Sequence, residues 1–193
     1  QQPGLNAGAA FSLDGRSLAM VLSKDEQVDL YRMEVASGAL TRITRSPGGE
    51  ASPTWSPDQK QLCISYDGGG TRPTLYLVAA SGGNPTRLLP MPEEAASPDW
   101  SPVSNRIAFS LRRGGQYVLA MVDMRLPEHD PIILTQGPGD WESPSWAADG
   151  RHLVCSRTLD GQTRLMLVDT YYGKTMPLKT GASQESLPTY SRR

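Results

Sequence analysis

Apolar residues along this chain come in short runs rather than in helical stripes. Ser17-Leu18-Ala19-Met20-Val21-Leu22, Gln61-Leu62-Cys63-Ile64-Ser65, Arg106-Ile107-Ala108-Phe109-Ser110 and His152-Leu153-Val154-Cys155-Ser156 are each of strand length and bounded by turn residues. A polar stretch leads from each to another run: Val28-Asp29-Leu30-Tyr31-Arg32-Met33, Leu75-Tyr76-Leu77-Val78, Val118-Leu119-Ala120-Met121-Val122 and Leu165-Met166-Leu167-Val168. A further turn follows at Ser37-Gly38, Ser81-Gly82-Gly83, Pro127-Glu128 or Tyr172-Gly173, then a last short segment such as Leu40-Thr41-Arg42-Ile43 or Ile132-Ile133-Leu134. The pattern predicts β structure throughout.

A recurring phrase sets the phase of these runs. Ser52-Pro53-Thr54-Trp55-Ser56-Pro57, Ser97-Pro98-Asp99-Trp100-Ser101-Pro102 and Ser143-Pro144-Ser145-Trp146-Ala147-Ala148 are flanked by weaker copies, Ala9-Ala10-Phe11-Ser12 and Leu187-Pro188-Thr189-Tyr190-Ser191. The aromatic residues Phe11, Trp55, Trp100, Trp146 and Tyr190 follow one another at steps of 44, 45, 46 and 44 residues. After the aromatic comes a turn of Asp-Gly type in Leu13-Asp14-Gly15, Pro57-Asp58-Gln59 and Ala148-Asp149-Gly150, with Pro102-Val103-Ser104-Asn105 departing from it. Four short antiparallel strands per unit of about 45 residues describe the blade of a β-propeller. A β-sandwich also uses regularly spaced short strands, but it gives no reason for one aromatic and one turn to recur at constant period. The expected fold is therefore an all-β propeller domain over residues 1–193, with four full repeats at about 6–49, 50–94, 95–140 and 141–185. A surplus C-terminal strand falls in 186–193. Pro53, Pro98, Pro144 and Pro188 are placed at the innermost strand of each unit, where a missing N–H is tolerated, and the aromatics between blades.

Charge adds exclusions. The 193 residues carry 19 Lys and Arg against 20 Asp and Glu, with both signs scattered, which argues against the concentrated basic surface that nucleic acid requires. No apolar run approaches the roughly 20 residues that span a bilayer, so no direct membrane insertion is expected, and Gln1-Gln2-Pro3-Gly4 does not resemble a signal peptide. Cys63 and Cys155 lie in apolar runs of different units and are expected as buried, unbonded thiols.

Catalytic chemistry finds no purchase. There is no Gly-x-Ser-x-Gly phrase to present a nucleophile, and His129 and His152 stand apart without metal-ligand spacing, as surface residues. Gly68-Gly69-Gly70 leads into Thr71-Arg72-Pro73 rather than Lys-Ser/Thr and a helix, so it is a flexible loop tip and not a phosphate loop. Glu93-Glu94, Asp140 with Glu142, and Glu185 precede innermost strands, yet lack the alternating-oxygen loop of a calcium site. No catalytic residue, cofactor or metal is expected.

Ala10-Phe11-Ser12-Leu13-Asp14-Gly15-Arg16-Ser17-Leu18-Ala19, followed by Val21-Leu22-Ser23-Lys24 and Asp29-Leu30-Tyr31, resembles a blade of the TolB family. The likeness continues through Glu142-Ser143-Pro144-Ser145-Trp146 to the ending Pro188-Thr189-Tyr190-Ser191-Arg192-Arg193. The resemblance implies a non-catalytic periplasmic scaffold of the Tol-Pal system, serving envelope integrity, cell division and protein transport. It implies a six-bladed propeller behind a small α/β domain, so that two blades and that domain lie outside these residues unless a shortened ring closes otherwise. The implied partner is the lipoprotein Pal, docked over the channel mouth, while the TolA-contacting segment of the family falls outside this sequence.

Alternate loops of antiparallel blades lie on opposite faces, and the longer connections, Thr44–Ser52, Leu89–Ser97, Gln136–Ser143, Gly181–Leu187 and Asp67–Pro73, share one of them. Carried from the family onto this chain, the Pal-binding positions are Asn6, Gly8, Glu50, Ala51 and Ser52. Repeat equivalence adds Glu94, Ala96, Trp141, Glu142 and Glu185. The family's histidine before Asn6 is Leu5 here. Trp141 stands beside the repeat's own Trp146, and it is expected either as an exposed interface anchor or as packing over the channel end. Two other functions remain open: the substrate-gating propeller of a prolyl-oligopeptidase or dipeptidyl-peptidase type hydrolase, and a propeller that binds a small ligand or sugar.

Overall fold

A computed structural model describes residues 6–24, 27–70, 72–126, 128–181 and 186–189. Sixteen strands form four antiparallel sheets of four among them, with no helix. The first sheet runs β1 (Asn6–Phe11), β2 (Ser17–Lys24), β3 (Gln27–Glu34), β4 (Leu40–Arg42). The second runs β5 (Glu50–Trp55), β6 (Gln61–Tyr66), β7 (Thr74–Ala79), β8 (Thr86–Arg87). The third is β9 (Ala95–Trp100), β10 (Arg106–Arg113), β11 (Gln116–Asp123), β12 (Ile132–Ile133), and the fourth β13 (Asp140–Trp146), β14 (His152–Leu159), β15 (Gln162–Asp169), β16 (Lys174–Pro177). Each sheet pairs its strands in chain order, as the blade reading requires. Residues 1–98 and 99–193 are two compact units.

The turn after each aromatic differs from the two-residue hairpin that Asp-Gly suggested. Residues 12–16 and 56–60 connect the strands, and a serine and an aspartate organise them. Ser12 Oγ donates to Asp14 Oδ1 at 2.6 Å and accepts from Ser17 N at 2.9 Å, while Arg16 N donates to the same carboxylate oxygen at 3.0 Å. In the second turn Ser56 Oγ donates to Asp58 Oδ1 at 2.6 Å and accepts from Gln61 N at 3.0 Å, while Lys60 N donates to Asp58 Oδ1 at 3.1 Å. The serine hydroxyl and then the backbone N–H hold the carboxyls of Asp14 and Asp58 below the usual range. The aspartate therefore serves the turn as an acceptor, and its glycine takes the positive φ at the end, 69° at Gly15.

Within the first unit the aromatic of one repeat grips the backbone of the repeat before it. Trp55 Nε1 donates to Ala10 O at 2.9 Å, and β5 packs across β1, β2 and β3. Ala19, Val21, Leu30 and Ile43 of the first sheet meet Trp55, Leu62, Ile64 and Val78 of the second in one buried cluster. The second unit repeats this. Trp146 Nε1 donates to Asp99 O at 3.0 Å, its backbone N to the Asp99 carboxylate at 2.7 Å, and Ala108, Leu119 and Met121 pack against Trp146, Leu153 and Cys155. Cys63 and Cys155 are free and buried, and desolvation pushes both thiols up, that of Cys155 to about 12.

Each first strand also carries one irregularity at a fixed place. Gly8, Ser52, Ser97 and Ser143 have φ between 51° and 53°, and register shifts break the β1–β2, β5–β6 and β13–β14 pairings there; Leu187 shares the angle at 51°, but residues 186–189 form no strand, so the surplus strand expected there is not seen among the described residues. Those in the strands are bulges built on left-handed residues, most of them directly before proline, a conformation that costs a non-glycine residue on the order of 1 kcal/mol or more. At β13, side chains from the preceding sheet and from the paired strand stabilise the bulge. Ser110 Oγ accepts from Ser143 N at 3.1 Å, and Ser156 Oγ donates to Glu142 O at 3.1 Å.

Candidate functional site

The proposed contact positions cluster at the start of each first strand, where the bulge divides them into buried and open sets. Glu50, Ala95 and Trp141 occupy the same repeat position, two residues before the bulge, and all three are buried. The next position, Ala51, Ala96 and Glu142, is exposed or half-buried, and so is the bulge residue itself at Ser52, Ser97 and Ser143. Asn6 belongs to β1, but its side chain lies outside the described residues, as does the whole of Glu185.

Gly8 is explained by geometry. Its φ is 52°, and a Cβ built on it would stand 3.0 Å from Ser52 N and 3.3 Å from Pro53 Cδ, so it lets the first strands of two repeats approach closely. The structure thus brings Gly8 against Ser52. Glu94 and Ala96 flank Ala95, whose N–H donates to Pro73 O at 2.9 Å and whose carbonyl accepts from Ser65 Oγ at 3.4 Å. Trp141 and Glu142 belong to the other unit.

Trp141 is not an exposed anchor. It is 2 % exposed and packs with Leu119, Met121, Leu134 and Met166. The Arg157 guanidinium lies 4.9 Å from its ring centroid and donates to Pro138 O at 3.2 and 2.9 Å, so arginine covers the indole. The physical reason is its repeat position: the slot filled by Ala95 in the third sheet points into packed interior, and an apolar ring gains by entering it. Glu142, one residue on, is half-buried, and desolvation, with the neighbouring Asp140 carboxylate adding to it, raises its carboxyl above the usual range. Asp140 accepts from Tyr117 N at 2.8 Å, which ties β13 to β11.

Glu50 is also not a rim charge. It is buried and accepts from Leu30 N at 2.8 Å and from Thr44 Oγ1 at 2.6 Å, linking β5 to β3 and to the loop before it. Beside it, buried Asp29 is paired with Arg42 and accepts from Ser46 N at 3.3 Å. Desolvation pushes the Glu50 carboxyl up despite the bonds from Thr44 and Leu30, and the Asp29 charge adds to the shift. A carboxyl with a folded-state value above its unfolded value contributes most below the unfolded value, near pH 4, and loses that contribution as pH rises through the folded value. Glu50→Gln is therefore expected to gain stability relative to the parent between about pH 4 and neutrality, with little difference below pH 4. Urea titrations across pH check this; a difference that stays flat with pH contradicts it.

The triple-glycine loop is tied down rather than loose at its tip. Asp67 Oδ1 accepts from Gly49 N at 3.1 Å and Gly69 N at 2.9 Å, and Tyr66 Oη donates to Pro47 O at 2.7 Å. A side chain on Gly48 would strike Asp67 Oδ1 and Gly69 N at 2.3 and 2.6 Å. Two loops of this face are thus clipped together in the first unit, a role that Asp directly before a glycine run signals. The histidines lie elsewhere: His152 Nδ1 meets Asp149 Oδ2 at 2.6 Å within a turn, and both rings are half-buried rather than exposed. Among the described residues no three His, Cys, Asp or Glu gather as a metal group, and no helix is long and apolar enough to cross a membrane.

Comparison with known proteins agrees with the architecture. The family model described as the TolB beta propeller domain matches residues 1–193. The Tol-Pal system protein TolB of Francisella tularensis subsp. mediasiatica is 33 % identical over 63 residues, 33 % of this chain and 14 % of that protein. The crystal structure of TolB from Acinetobacter baumannii superposes with a TM-score of 0.83 at 26 % identity, over 96 % of this chain and 46 % of that one. A puromycin-hydrolyzing peptidase of Mycobacterium tuberculosis shares the fold at TM-score 0.70 and 21 % identity, over 94 % of this chain and 30 % of that one. The chain thus spans less than half the length of each of these relatives. The recurring aromatic, the Ser-x-Asp turn, the four-stranded sheets and the family match over every residue lead to one assignment: the chain belongs to the TolB β-propeller family.

Proposed function

We propose that this chain is a non-catalytic, periplasmic protein-binding scaffold of the Tol-Pal type that receives a Pal-like lipoprotein at the starts of its first strands. The family match over residues 1–193 carries the reading. It is supported by the accessible positions Ala51, Ser52 and Ala96 of the first unit, and by the matching Glu142 within the second, held on bulged, hydrogen-bonded backbone, because rigid presentation lowers the entropic cost of docking. Gly8 packs against Ser52 and Glu94 lies two residues before Ala96, whereas Glu50 and Trp141 are buried within their own units. The gating-propeller alternative has weaker support, since the peptidase likeness is lower in both TM-score and identity than the TolB likeness.

The test is binding of purified Pal periplasmic domain to the folded chain by biolayer interferometry. Ala51→Arg with Ala96→Arg, at an exposed and a half-buried position of the first unit, is expected to weaken binding by about tenfold or more through steric and charge conflict. Failure of the folded parent to bind Pal, under conditions where a full-length TolB binds it, overturns the proposal.

A further inference from the structure

Four Asp-Gly pairs stand in the chain: Asp14-Gly15, Asp67-Gly68, Asp149-Gly150 and Asp160-Gly161. Such a pair can close on itself, because with no side chain on the second residue its backbone nitrogen can approach the aspartyl Cγ and form a five-membered succinimide. Closure needs a carboxyl able to lose its hydroxyl and a glycine N–H that is not held elsewhere. The four pairs differ in both respects.

In Asp14-Gly15 both groups are engaged. Asp14 Oδ1 accepts from Ser12 Oγ at 2.6 Å and Arg16 N at 3.0 Å, and Gly15 N donates to Ser12 O at 2.9 Å. Asp149-Gly150 is tied in the same way. Asp149 Oδ1 accepts from Arg151 N at 2.9 Å and His152 N at 3.0 Å, Oδ2 meets His152 Nδ1 at 2.6 Å, and Gly150 N donates to Ala147 O at 3.1 Å. The Ser12 hydroxyl and the Arg16 N–H hold the Asp14 carboxyl below its usual range; burial raises that of Asp149, but its bonds with His152 and Arg151 bring it to about 2. Both therefore stay ionised in mild acid, and a carboxylate is a poor electrophile. The Asp67 carboxylate is held by Gly49 N and Gly69 N, while Gly68 N has no hydrogen-bond partner among the described residues.

Asp160-Gly161 departs from all three. The pair is the whole tip between β14 and β15, with Leu159 facing Gln162 and φ of 52° and 74° at the two tip residues. A hairpin of this length closes its hydrogen bonds across the flanking pair and leaves the tip groups to solvent. Both residues are exposed, and neither the Asp160 carboxylate nor the Gly161 N–H has a hydrogen-bond partner among the described residues.

We propose that Asp160 is a site of backbone modification, at which the peptide bond to Gly161 migrates onto the side-chain carboxyl to give isoaspartate, a substrate for methyltransferases that use S-adenosylmethionine. Gly161 N bonds to Asp160 Cγ, the Cγ–OH bond breaks, and the hydroxyl leaves as water with the amide proton. Water then adds to the α-carbonyl carbon of the ring, the bond from that carbon to Gly161 N breaks, and the nitrogen regains its proton. The main chain now runs through Cγ at unchanged mass, and the α-carboxylate is released as the methyl acceptor. Methyl transfer forms an O–CH3 bond there and breaks the S–CH3 bond, leaving S-adenosylhomocysteine. One methylene has entered the main chain at the tip, beside the Leu159–Gln162 pair and the Thr158–Thr163 hydroxyl contact of 2.8 Å. None of this depends on the partner assigned to the chain.

The folded 193-residue chain is held in mild acid, sampled over weeks, digested with trypsin and read by electron-transfer mass spectrometry, which separates isoaspartate from aspartate by cleavage at Cα–Cβ. Each Asp-Gly pair falls in a different tryptic peptide, that of Asp160 being Thr158–Arg164. Isoaspartate is expected to form there about tenfold faster or more than at Asp14 or Asp149, where hydrogen bonds to both reacting groups must first break. It is also expected to form faster there than at Asp67, and in urea the four rates are expected to converge. Methyl transfer from labelled S-adenosylmethionine by isoaspartyl methyltransferase is expected to rise in step in the parent. Most of it is expected to vanish in Asp160→Glu, whose longer side chain would have to close a six-membered ring. Ser12→Ala, which removes one hold on Asp14, is expected to speed isoaspartate formation at Asp14 and leave Asp160 unchanged. Equal rates at the four pairs of the folded chain, no isoaspartate at Asp160, a faster rate at Asp14 or Asp149, or undiminished methyl acceptance by the glutamate variant overturns the proposal.

Discussion

Trp146→Ala is expected to lower the free energy of unfolding by about 3–5 kcal/mol, read as a fall in the urea midpoint at unchanged slope. The indole is 0 % exposed, it packs into the core of the second unit, and its N–H donates to Asp99 O. Alanine removes the packed volume and leaves the Asp99 carbonyl without that donor. The same repeat position supplies its own control. Phe11 is 58 % exposed where Trp55, Trp100 and Trp146 are 2, 3 and 0 % exposed, so Phe11→Ala is expected to change stability by under about 1 kcal/mol. Equal losses at the two sites would mean that repeat position, rather than burial, sets the cost.

Trp141→Ala is expected to cost a similar amount, about 3–5 kcal/mol, and to reduce Pal binding only as far as it unfolds the chain. Its ring lies in the same cluster as Trp146, but its Nε1 is buried with no hydrogen-bond partner among the described residues. Trp141→Phe removes that unsatisfied donor while keeping most of the aromatic area, and it is expected to cost less than about 2 kcal/mol. Thermal midpoints of the two variants, beside Pal affinity at a temperature where both are folded, separate a core role from a contact role. An alanine variant of parental stability with lost affinity would restore Trp141 as an interface residue.

The repeat was legible because one aromatic, one turn and one apolar run share a period, and every one of these has a physical duty in the sheets. Less legible was which side of the first strand each residue faces. The bulge at Ser52 or Ser143 arises from a left-handed residue before proline, a pairing that local preference disfavours and only the surrounding hydrogen bonds maintain. Without it, Glu50 reads as a loop acid and Trp141 as an extra surface tryptophan. Counting back from the shared Ser-Pro puts Glu50, Ala95 and Trp141 in one slot, and the alanine there is the signal, not used above, that could have marked the slot as interior. Asp67 was missed for a different reason. Its partner Gly49 lies on another loop and is brought near by tertiary pairing and not by spacing along the chain.

The bulge also acts on the sheet as a one-residue frameshift. Side chains alternate between the two faces of a strand, so an inserted residue exchanges the faces for everything on one side of it. Beyond the insertion the four strands keep the common Pro-x-Trp text or its Phe11 variant; before it they read Asn6-Ala7, Glu50-Ala51, Ala95-Ala96 and Trp141-Glu142, with no residue type common to all four at the first position. The first strands after β1 thus meet the repeat before them in two ways: beyond the bulge through the shared Pro-x-aromatic text, and before it through one slot that an acid, a methyl group or an indole fills in a different way each time. The joint lets the two contacts diverge independently, so the second can be tuned repeat by repeat while the first keeps the period.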